Sequence, residues 1–180
     1  TRWRYDMFAG ADIHGATLGI IGMGRIGQGI ARRGAHGFGM RVLAYDKFPA
    51  KDSGLDYVEL DTLLRESDVI SLHCPLTPET HHIVNAETLA RAKRGALLIN
   101  TSRGGLVDTD AAIDALKTGQ LGGLAIDVYE QEADLFFRDL SNTIVTDDTF
   151  QRLLSFPNVI VTGHQAFFTE EALAGIATTT

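Results

Sequence analysis

The sequence predicts an α/β fold in which a doubly wound parallel sheet forms a single domain. Short apolar runs alternate with segments of helical spacing along the 180 residues, an order typical of βαβ units. Several runs are continuously apolar, as expected for strands buried on both faces of a sheet. Hydrophobic residues make up 44% of the chain, which is enough to form one sizeable core.

Six runs of apolar and β-branched residues predict the strands, because each is bounded by Gly, Pro or polar residues. Pro75 ends the third run, and Gly163 follows the last one, in which "VIVT" predicts a short buried strand. The predicted strands comprise residues 17–22, 40–46, 68–75, 96–102, 121–130 and 159–162.

Six segments with helical spacing follow these strands. The clearest of them begins at Asp108, a favourable N-cap, and ends at Gly119, the residue type preferred just after a helix. The last begins at Thr169 with two acidic residues in its first turn, which complement the helix dipole. The predicted helices comprise residues 25–36, 60–67, 85–92, 108–119, 147–156 and 169–177.

Charge and cysteine content exclude several function classes. The net charge of −7 argues against a non-specific surface for nucleic acid or anionic membrane. The single cysteine, Cys74, excludes an internal disulfide and fits a reducing cytoplasm. No apolar run approaches the ~18 residues that span a bilayer. We therefore expect a cytoplasmic protein with neither a nucleic-acid nor a membrane partner.

The first predicted strand runs into a glycine-rich turn that opens a helix. Gly22, Gly24 and Gly27 form the pattern G-x-G-x-x-G. The first glycine would allow the tight turn, the second the close approach of a pyrophosphate, and the third close packing of helix on strand. The pattern alone is weak, because the chain contains 19 glycines. Its position between a strand and a helix favours a dinucleotide site.

The second predicted strand ends at Asp46, at the spacing where an acid would bind an adenosine ribose. Its carboxylate would repel a 2′-phosphate, so we expect NAD rather than NADP, although the adjacent Lys47 weakens this inference. The alternative interpretation is an ordinary glycine turn followed by a surface aspartate.

Polar residues follow the remaining strands, at the edge where doubly wound sheets bind ligands. Arg103 could bind a carboxylate and a ketone oxygen with its forked guanidinium. A carboxylate beside His164 would favour the protonated imidazole, which could then give a proton to a carbonyl. Three alternatives remain open: an ion pair between Arg103 and an acid, a solvated loop at residues 127–134, and a structural role for His164, since a lone histidine is often structural.

Several motifs together resemble the NAD-dependent D-2-hydroxyacid dehydrogenase family. They are "GIIGMGRIG", "HCPLTPET", "LLINTSRGGLVD", "GLAIDVYEQE" and "VIVTGHQAF", and the similarity runs from about residue 12 to 177. The later part resembles the D-lactate dehydrogenase branch, whereas the earlier part is closer to the glyoxylate and gluconate reductase branch. This mixture would fit a chimeric or redesigned sequence.

The resemblance implies a Rossmann-like domain, bound NAD, a small 2-keto acid substrate of the pyruvate type, and a catalytic set of Arg103, Glu132 and His164. In the motif D-V-Y-E-x-E it selects Glu132 rather than Glu130 as the partner of the histidine. Phe167 would flank the substrate, and Cys74 would offer a backbone contact rather than a nucleophile. The implied cofactor-binding residues are Gly22, Gly24, Arg25, Ile26, Gly27, Asp46, Cys74, Pro75, Thr80, Thr101, Ser102 and Asp127.

Members of this family are about twice as long as this chain and carry a second domain that closes over the substrate. The resemblance therefore implies a nucleotide-binding domain at residues 15–165, with a linker at 1–14 and a C-terminal helix at 166–180. We expect NAD binding with little turnover. The alternative functions are an NAD-sensing module, like the corepressors that resemble this family, and a dimerisation module.

Two further expectations concern partners. The resemblance implies a homodimer formed by nucleotide-binding domains, and exposed Trp3 and Phe8 could add to association. We expect no metal site, because the adjacent His81 and His82 should diverge and no third ligand is spaced to join them.

Overall fold

The protein is described by a computed structural model that covers residues 10–50, 54–136 and 144–179; Trp3 and Phe8 lie outside these ranges. Its centre is a parallel sheet of seven strands in the order β3-β2-β1-β4-β5-β6-β7, which confirms the predicted doubly wound α/β class. The strands are β1 Thr17–Ile21, β2 Arg41–Tyr45, β3 Asp56–Tyr57, β4 Val69–Leu72, β5 Ala96–Asn100, β6 Leu121–Ile126 and β7 Val159–Val161.

Helices connect the strands close to where the sequence predicts them. Asp108 caps α4 by accepting a hydrogen bond from the Ala111 N–H at 3.0 Å, and Gly119 ends it in the left-handed conformation, as expected. The helices are α1 Arg25–Arg32, α2 Leu60–Glu66, α3 Ala86–Arg91, α4 Thr109–Thr118, α5 Asp148–Leu154 and α6 Glu170–Thr179.

Three short elements were not predicted, because each contains too few residues to show a periodic pattern, and a fourth gives the end of the predicted helix 25–36 a different geometry. The strand β3 adds two residues beside β2. A π-helical turn at Arg33–Gly37 continues α1, and 3₁₀ turns form at Gly104–Leu106 and Glu132–Asp134. Both 3₁₀ turns lie just beyond strand ends, where they shape the connections that carry polar residues.

The sheet divides the core into two clusters. Alternation along β1 sends Ile21 into the larger cluster, with apolar residues of α2 to α5 such as Leu63 and Leu153. The same alternation sends Leu18 and Ile20 into the smaller cluster beneath α1. Helices thus lie on both faces, and the register of β5 against β6 shifts between Ala96 and Leu97.

The last strand differs from its prediction. The sequence predicts a buried β7, but Ile160 is 65% exposed because β7 is the edge strand of the sheet and pairs only with β6. The following helix, α6, contains no buried residue. Packing therefore becomes sparser toward the end of the described chain.

The carboxyl ends of all seven strands meet at one edge of the sheet, because the strands are parallel. The glycine turn follows β1, Asp46 follows β2, Arg103 follows β5 and His164 follows β7. The predicted functional residues are therefore gathered at a single edge. Among the described residues, no helix combines the length and apolar character required to cross a membrane.

Candidate functional site

The glycine turn is shaped by contacts within the chain at two of its three glycines. Gly22 has φ +98°, and a Cβ built there would lie 2.3 Å from the backbone nitrogen of Cys74. A Cβ on Gly27 would lie 2.1 Å from the carbonyl oxygen of Gly22. Both positions therefore require glycine to hold β1, α1 and the end of β4 together.

No contact within the chain requires a glycine at the position of Gly24. Its φ of −66° is open to any residue, and a Cβ built there would meet nothing within 4 Å. This open space lies at the N-cap of α1, beside the exposed Arg25 and Ile26. The space and the unpaired N–H groups of a helix N-terminus suit a pyrophosphate, so the residues present fit the dinucleotide.

Asp46 is held in place by the turn itself. Its carboxylate accepts hydrogen bonds from the backbone N–H of Met23 at 2.6 Å and of Phe48 at 2.8 Å. Each carboxylate oxygen can accept a second hydrogen bond. The residue is therefore oriented at the end of β2 with capacity to bind ribose hydroxyls.

A cavity of about 260 Å³ lies beside Asp46 and collects five of the predicted cofactor residues: Gly22, Asp46, Cys74, Pro75 and Thr80. Thr80 closes the loop below it, because its hydroxyl donates to the Pro75 carbonyl at 2.6 Å. Sequence reasoning considered Lys47 only for the choice between NAD and NADP and missed the other lining residues, although "PLTPET" contains part of the signal. Besides the five, the lining residues are Ile21, Tyr45, Lys47, Phe48, Thr77, Glu79 and Ile83.

Cys74 is buried and unpaired, and burial raises the pKa of its thiol. A protonated thiol is a poor nucleophile, which agrees with the expected backbone role. Its carbonyl accepts a hydrogen bond from the Ser102 hydroxyl at 2.8 Å. Ser102 and the exposed Thr101 are not among the described residues lining the cavity.

His164 and Glu132 lie together. The imidazole Nδ1 is 2.8 Å from Glu132 Oε1, and the two side chains are 28% and 19% exposed. The second carboxylate oxygen accepts from the backbone N–H of Tyr129 at 2.9 Å. His164 has φ +54°, a left-handed conformation that costs a non-glycine residue about 1–2 kcal/mol. Local hydrogen bonds must therefore hold it there.

Asp127 accepts the hydrogen bonds that hold His164 and the residues after it in place. Its backbone oxygen accepts from the His164 N–H at 2.7 Å, and its carboxylate accepts from the N–H groups of Gln165 and Ala166 at 2.9 and 2.8 Å. The Thr162 hydroxyl also donates to it. Sequence reasoning placed Asp127 near the nicotinamide and missed this anchoring of the histidine loop.

The charge of Asp127 is stabilised by these contacts. Burial alone would raise its pKa, but the hydrogen bonds from Thr162, Gln165 and Ala166, together with the charge of His164, outweigh burial and lower it. A lowered pKa in the folded state stabilises the protein at pH values above the unfolded-state pKa, and this contribution disappears as pH falls through the folded-state pKa.

We predict that Asp127→Asn lowers the free energy of unfolding by about 1.5–3 kcal/mol near neutral pH, because a buried charged acceptor is lost. The difference from the wild type should shrink as pH falls below the ordinary carboxyl value of 3.8, since the unfolded wild-type chain then binds a proton at Asp127 that the folded state resists. Urea unfolding of both proteins at about pH 7 and about pH 3 measures this difference in unfolding free energy. A difference of equal size at both pH values would contradict this role.

Arg103 lies on the connection after β5. It is exposed, its Nη1 donates to the Ser102 carbonyl at 2.6 Å, and its own carbonyl accepts from the Asn100 amide at 2.9 Å. A Cβ on Gly104 would lie 2.2 Å from the carbonyl carbon of Tyr129. The Arg103 loop therefore packs directly on the segment that leads to Glu132, a contact that sequence reasoning missed.

Two alternatives from the sequence can now be decided. Arg103 forms no ion pair with an acid within residues 10–50, 54–136 and 144–179. Residues 127–134 are not a solvated loop throughout, since Asp127 is only 4% exposed and Glu132 is bonded to His164.

The structure contradicts both reasons for expecting no metal site at His81 and His82. Their rings stack with centroids 3.9 Å apart, and His82 Nε2 lies 2.6 Å from Glu130 Oε1. The rings converge because His82 has φ +50°, whereas neighbouring side chains diverge in extended backbone. Glu130 is the third group that the spacing did not reveal.

The glycine turn, the acid after β2 and the histidine–carboxylate pair together define a dinucleotide-binding domain of the dehydrogenase class. Residues 1–166 match the family profile described as "D-isomer specific 2-hydroxyacid dehydrogenase, NAD binding domain". The chain belongs to this family of NAD-binding domains.

Relatives support the same assignment over almost the whole chain. The 2-hydroxyacid dehydrogenase homolog 2 of Schizosaccharomyces pombe is 56% identical over 95% of this chain and 52% of its own length. Because one alignment covers both the earlier and the later motifs, both fall within a single family.

Solved structures are similar as well. The Salmonella D-lactate dehydrogenase has a TM-score of 0.86 and 51% identity, covering 98% of this chain and 54% of that one. The NAD-complexed D-isomer specific 2-hydroxyacid dehydrogenase of Lactobacillus delbrueckii ssp. bulgaricus has a TM-score of 0.88 and 34% identity, covering 99% and 56%. The chain thus spans about half the length of these proteins.

Proposed function

We propose that this chain is the NAD-binding domain of an oxidoreductase that reduces a small, pyruvate-like 2-keto acid to the D-2-hydroxy acid. The observation that carries the proposal is the 2.8 Å pairing of His164 Nδ1 with Glu132, at the sheet edge that also carries the glycine turn and Arg103. A positioned acid and a cofactor turn at one edge are the parts that carbonyl reduction needs.

The proposed cofactor contacts divide along the sheet edge. The glycine turn with Arg25 and Ile26 faces the pyrophosphate, and Asp46 binds the adenosine ribose beside the cavity of Cys74, Pro75 and Thr80. Thr101, Ser102 and Asp127 lie toward the nicotinamide. When bound, NADH supplies the hydride that reduces the carbonyl carbon.

The substrate contacts come from the other end of the site. The Arg103 guanidinium binds the substrate carboxylate and ketone oxygen through its forked donors. Glu132 holds Nδ1 of His164, so Nε2 is the nitrogen that gives a proton to the ketone oxygen. Phe167, which is 50% exposed, would flank a small aliphatic side chain.

NAD is preferred over NADP in this proposal because the Asp46 carboxylate would repel a 2′-phosphate. Lys47, the neighbouring cation, lies 3.9 Å from Glu79 and is largely exposed. Its charge is therefore partly balanced by an acid, which supports the preference that Asp46 sets.

We propose that the chain on its own reduces substrate slowly. Arg103 and Phe167 are exposed, so water would weaken the electrostatic contacts that the reaction uses. The domain core would comprise residues 15–165, with 1–14 as a linker. Residues 166–180 would form a connecting helix, in keeping with an α6 that buries no residue.

We also propose a cytoplasmic homodimer. The one cysteine is an unpaired thiol, which fits a reducing compartment, and Leu97, Ile160 and Ile176 are exposed apolar side chains. Light scattering tests the assembly: a mass near twice 19.5 kDa is expected, and a mass equal to one chain would contradict the dimer.

The reaction is tested by mixing the chain, in excess, with NADH and pyruvate and by resolving the lactate enantiomers formed. We expect D-lactate from the wild type at well below the ~1–1000 per second of typical enzymes, and a background level from Arg103→Gln. Equal background from both proteins would refute the proposed reaction. Turnover at the typical rate would refute the slow rate proposed for this chain.

A further inference from the structure

His81, His82 and Glu130 form a compact polar cluster that the proposed reaction does not use; we call it the His–His–Glu cluster. His81 and His82 lie on the loop of residues 77–84, and Glu130 follows β6. The side chains of His82 and Glu130 are 32% and 28% exposed, and His81 is exposed as well. An ion in solution can therefore reach all three groups.

The ligand atoms of this cluster converge. One atom from each residue can be chosen so that all lie within 4.8 Å of one another. Ligands 2.0–2.2 Å from zinc lie roughly 3.3–3.6 Å apart in a tetrahedron. Because the His81 and His82 rings stack with centroids 3.9 Å apart, closing the cluster around one ion would require the rings to turn until a nitrogen of each points at the ion.

Surrounding contacts hold the groups in this arrangement. The left-handed backbone of His82 is fixed by its N–H, which donates to the Gly105 carbonyl at 2.9 Å. The second oxygen of Glu130 accepts from the Thr109 hydroxyl at 3.3 Å. A carboxylate oriented by a neighbouring hydroxyl is a usual feature around metal ligands.

We propose that the His–His–Glu cluster binds a divalent transition-metal ion of the zinc type. Two imidazoles and one carboxylate are donors that zinc prefers, whereas magnesium and calcium prefer oxygen ligands alone. Three protein ligands leave a fourth position for water, so the site would be open to solvent. Binding would replace the hydrogen bond between His82 and Glu130 with two metal–ligand bonds.

A bound ion would link the 77–84 loop, beside the proposed cofactor cavity, to the segment that carries Glu130 and leads to Glu132. Thr77, Glu79 and Thr80 of the 77–84 loop line the cavity beside Asp46, and Glu130 lies two residues before Glu132. The ion would hold these segments together and raise the thermal stability of the chain, because it binds the folded state. The proposal uses neither Arg103 nor His164, so its failure would leave the proposed reaction intact.

Calorimetric titration of the chelator-treated chain with zinc, and separately with magnesium, tests the site. We expect one zinc ion per chain, a raised unfolding temperature and no magnesium binding. His81→Gln and Glu130→Gln should each weaken zinc binding at least ~10-fold, because even a residue that only orients a ligand is worth that much. His81→Gln alters an exposed side chain, so its fold should persist, and circular dichroism checks this.

Two control variants locate the ion. His36→Gln changes an exposed histidine on the π-helical turn, and zinc binding should be unchanged. His164→Gln removes the pairing of His164 with Glu132, and it should also leave zinc binding unchanged. Absence of zinc binding by the folded chain would overturn the proposal. So would binding that survives both cluster variants, or binding that is lost in His164→Gln and kept in His81→Gln.

Discussion

His164→Gln is expected to lower keto-acid reduction by the chain by about 10²–10⁴-fold, the usual contribution of a positioned general acid. Glutamine can fill the space and donate a hydrogen bond, but it cannot give up a proton. The affinity of the His164→Gln variant for NADH should stay within about twofold of the wild type, since the histidine pairs with Glu132 rather than with the glycine turn. Product formation with the chain in excess and NADH fluorescence measure the two effects separately.

His36→Gln is the matched control for this prediction, because it makes the same change at an exposed position on the π-helical turn. It should reduce substrate as the wild type does. If His164→Gln retained full activity, the histidine would not be the acid. If neither protein reduced substrate while both bound NADH, the chain would be better described as an NAD-sensing module.

Gly24→Ala and Gly22→Ala are expected to fail in different ways, although both change the same turn. A Cβ on Gly24 meets nothing in the chain, so Gly24→Ala should fold normally and lose at least about tenfold in NADH affinity, or ~1.4 kcal/mol. A Cβ on Gly22 meets backbone at 2.3 Å and requires φ +98°. Gly22→Ala should therefore lose at least about 2 kcal/mol of folding free energy.

Gly37→Ala is the control for these two variants. A Cβ there also meets nothing within 4 Å, but it lies at the end of the π-helical turn and away from the proposed cofactor. Urea unfolding and NADH titration of the three variants give the comparison. If Gly24→Ala bound NADH as Gly37→Ala does, the open space at the N-cap of α1 would not be the pyrophosphate site.

The fold was predictable because its signals are local. Continuous apolar runs identify strands that are covered on both faces, and Asp108 and Gly119 mark the two ends of α4 by their capping chemistry. Burial was harder to predict for β7. The residues of "VIVT" suit a buried strand. Strand order, however, decides which strand lies at the sheet edge, and no single segment of the sequence determines that order.

The site residues that belong to recognisable sequence motifs were predictable. The glycine turn and Asp46 follow from spacing, and the resemblance selected Glu132, which does pair with His164. The contacts of Asp127 with residues 162–166 were not foreseen, because they join segments about 35 residues apart. The convergence of His81 and His82 depends on one left-handed residue, which sequence spacing does not reveal.

Gly104 illustrates the same limit. It follows Arg103 in the motif "NTSRGG", where sequence reasoning gave roles to Thr101, Ser102 and Arg103 but none to the glycine. Its lack of a side chain lets the Arg103 loop contact the backbone of Tyr129 and Glu130. Such a requirement comes from the distance between two connections, so it became visible only with the folded chain.

The central claim is that this chain is a folded NAD-binding domain. The most direct test is a fluorescence titration of the chain with NADH, repeated with NADPH. We expect saturable binding of NADH and clearly weaker binding of NADPH, because in the proposed site the Asp46 carboxylate would accept hydrogen bonds from the ribose hydroxyls and would repel a 2′-phosphate. No binding of NADH by a chain that circular dichroism shows to be folded would contradict the account.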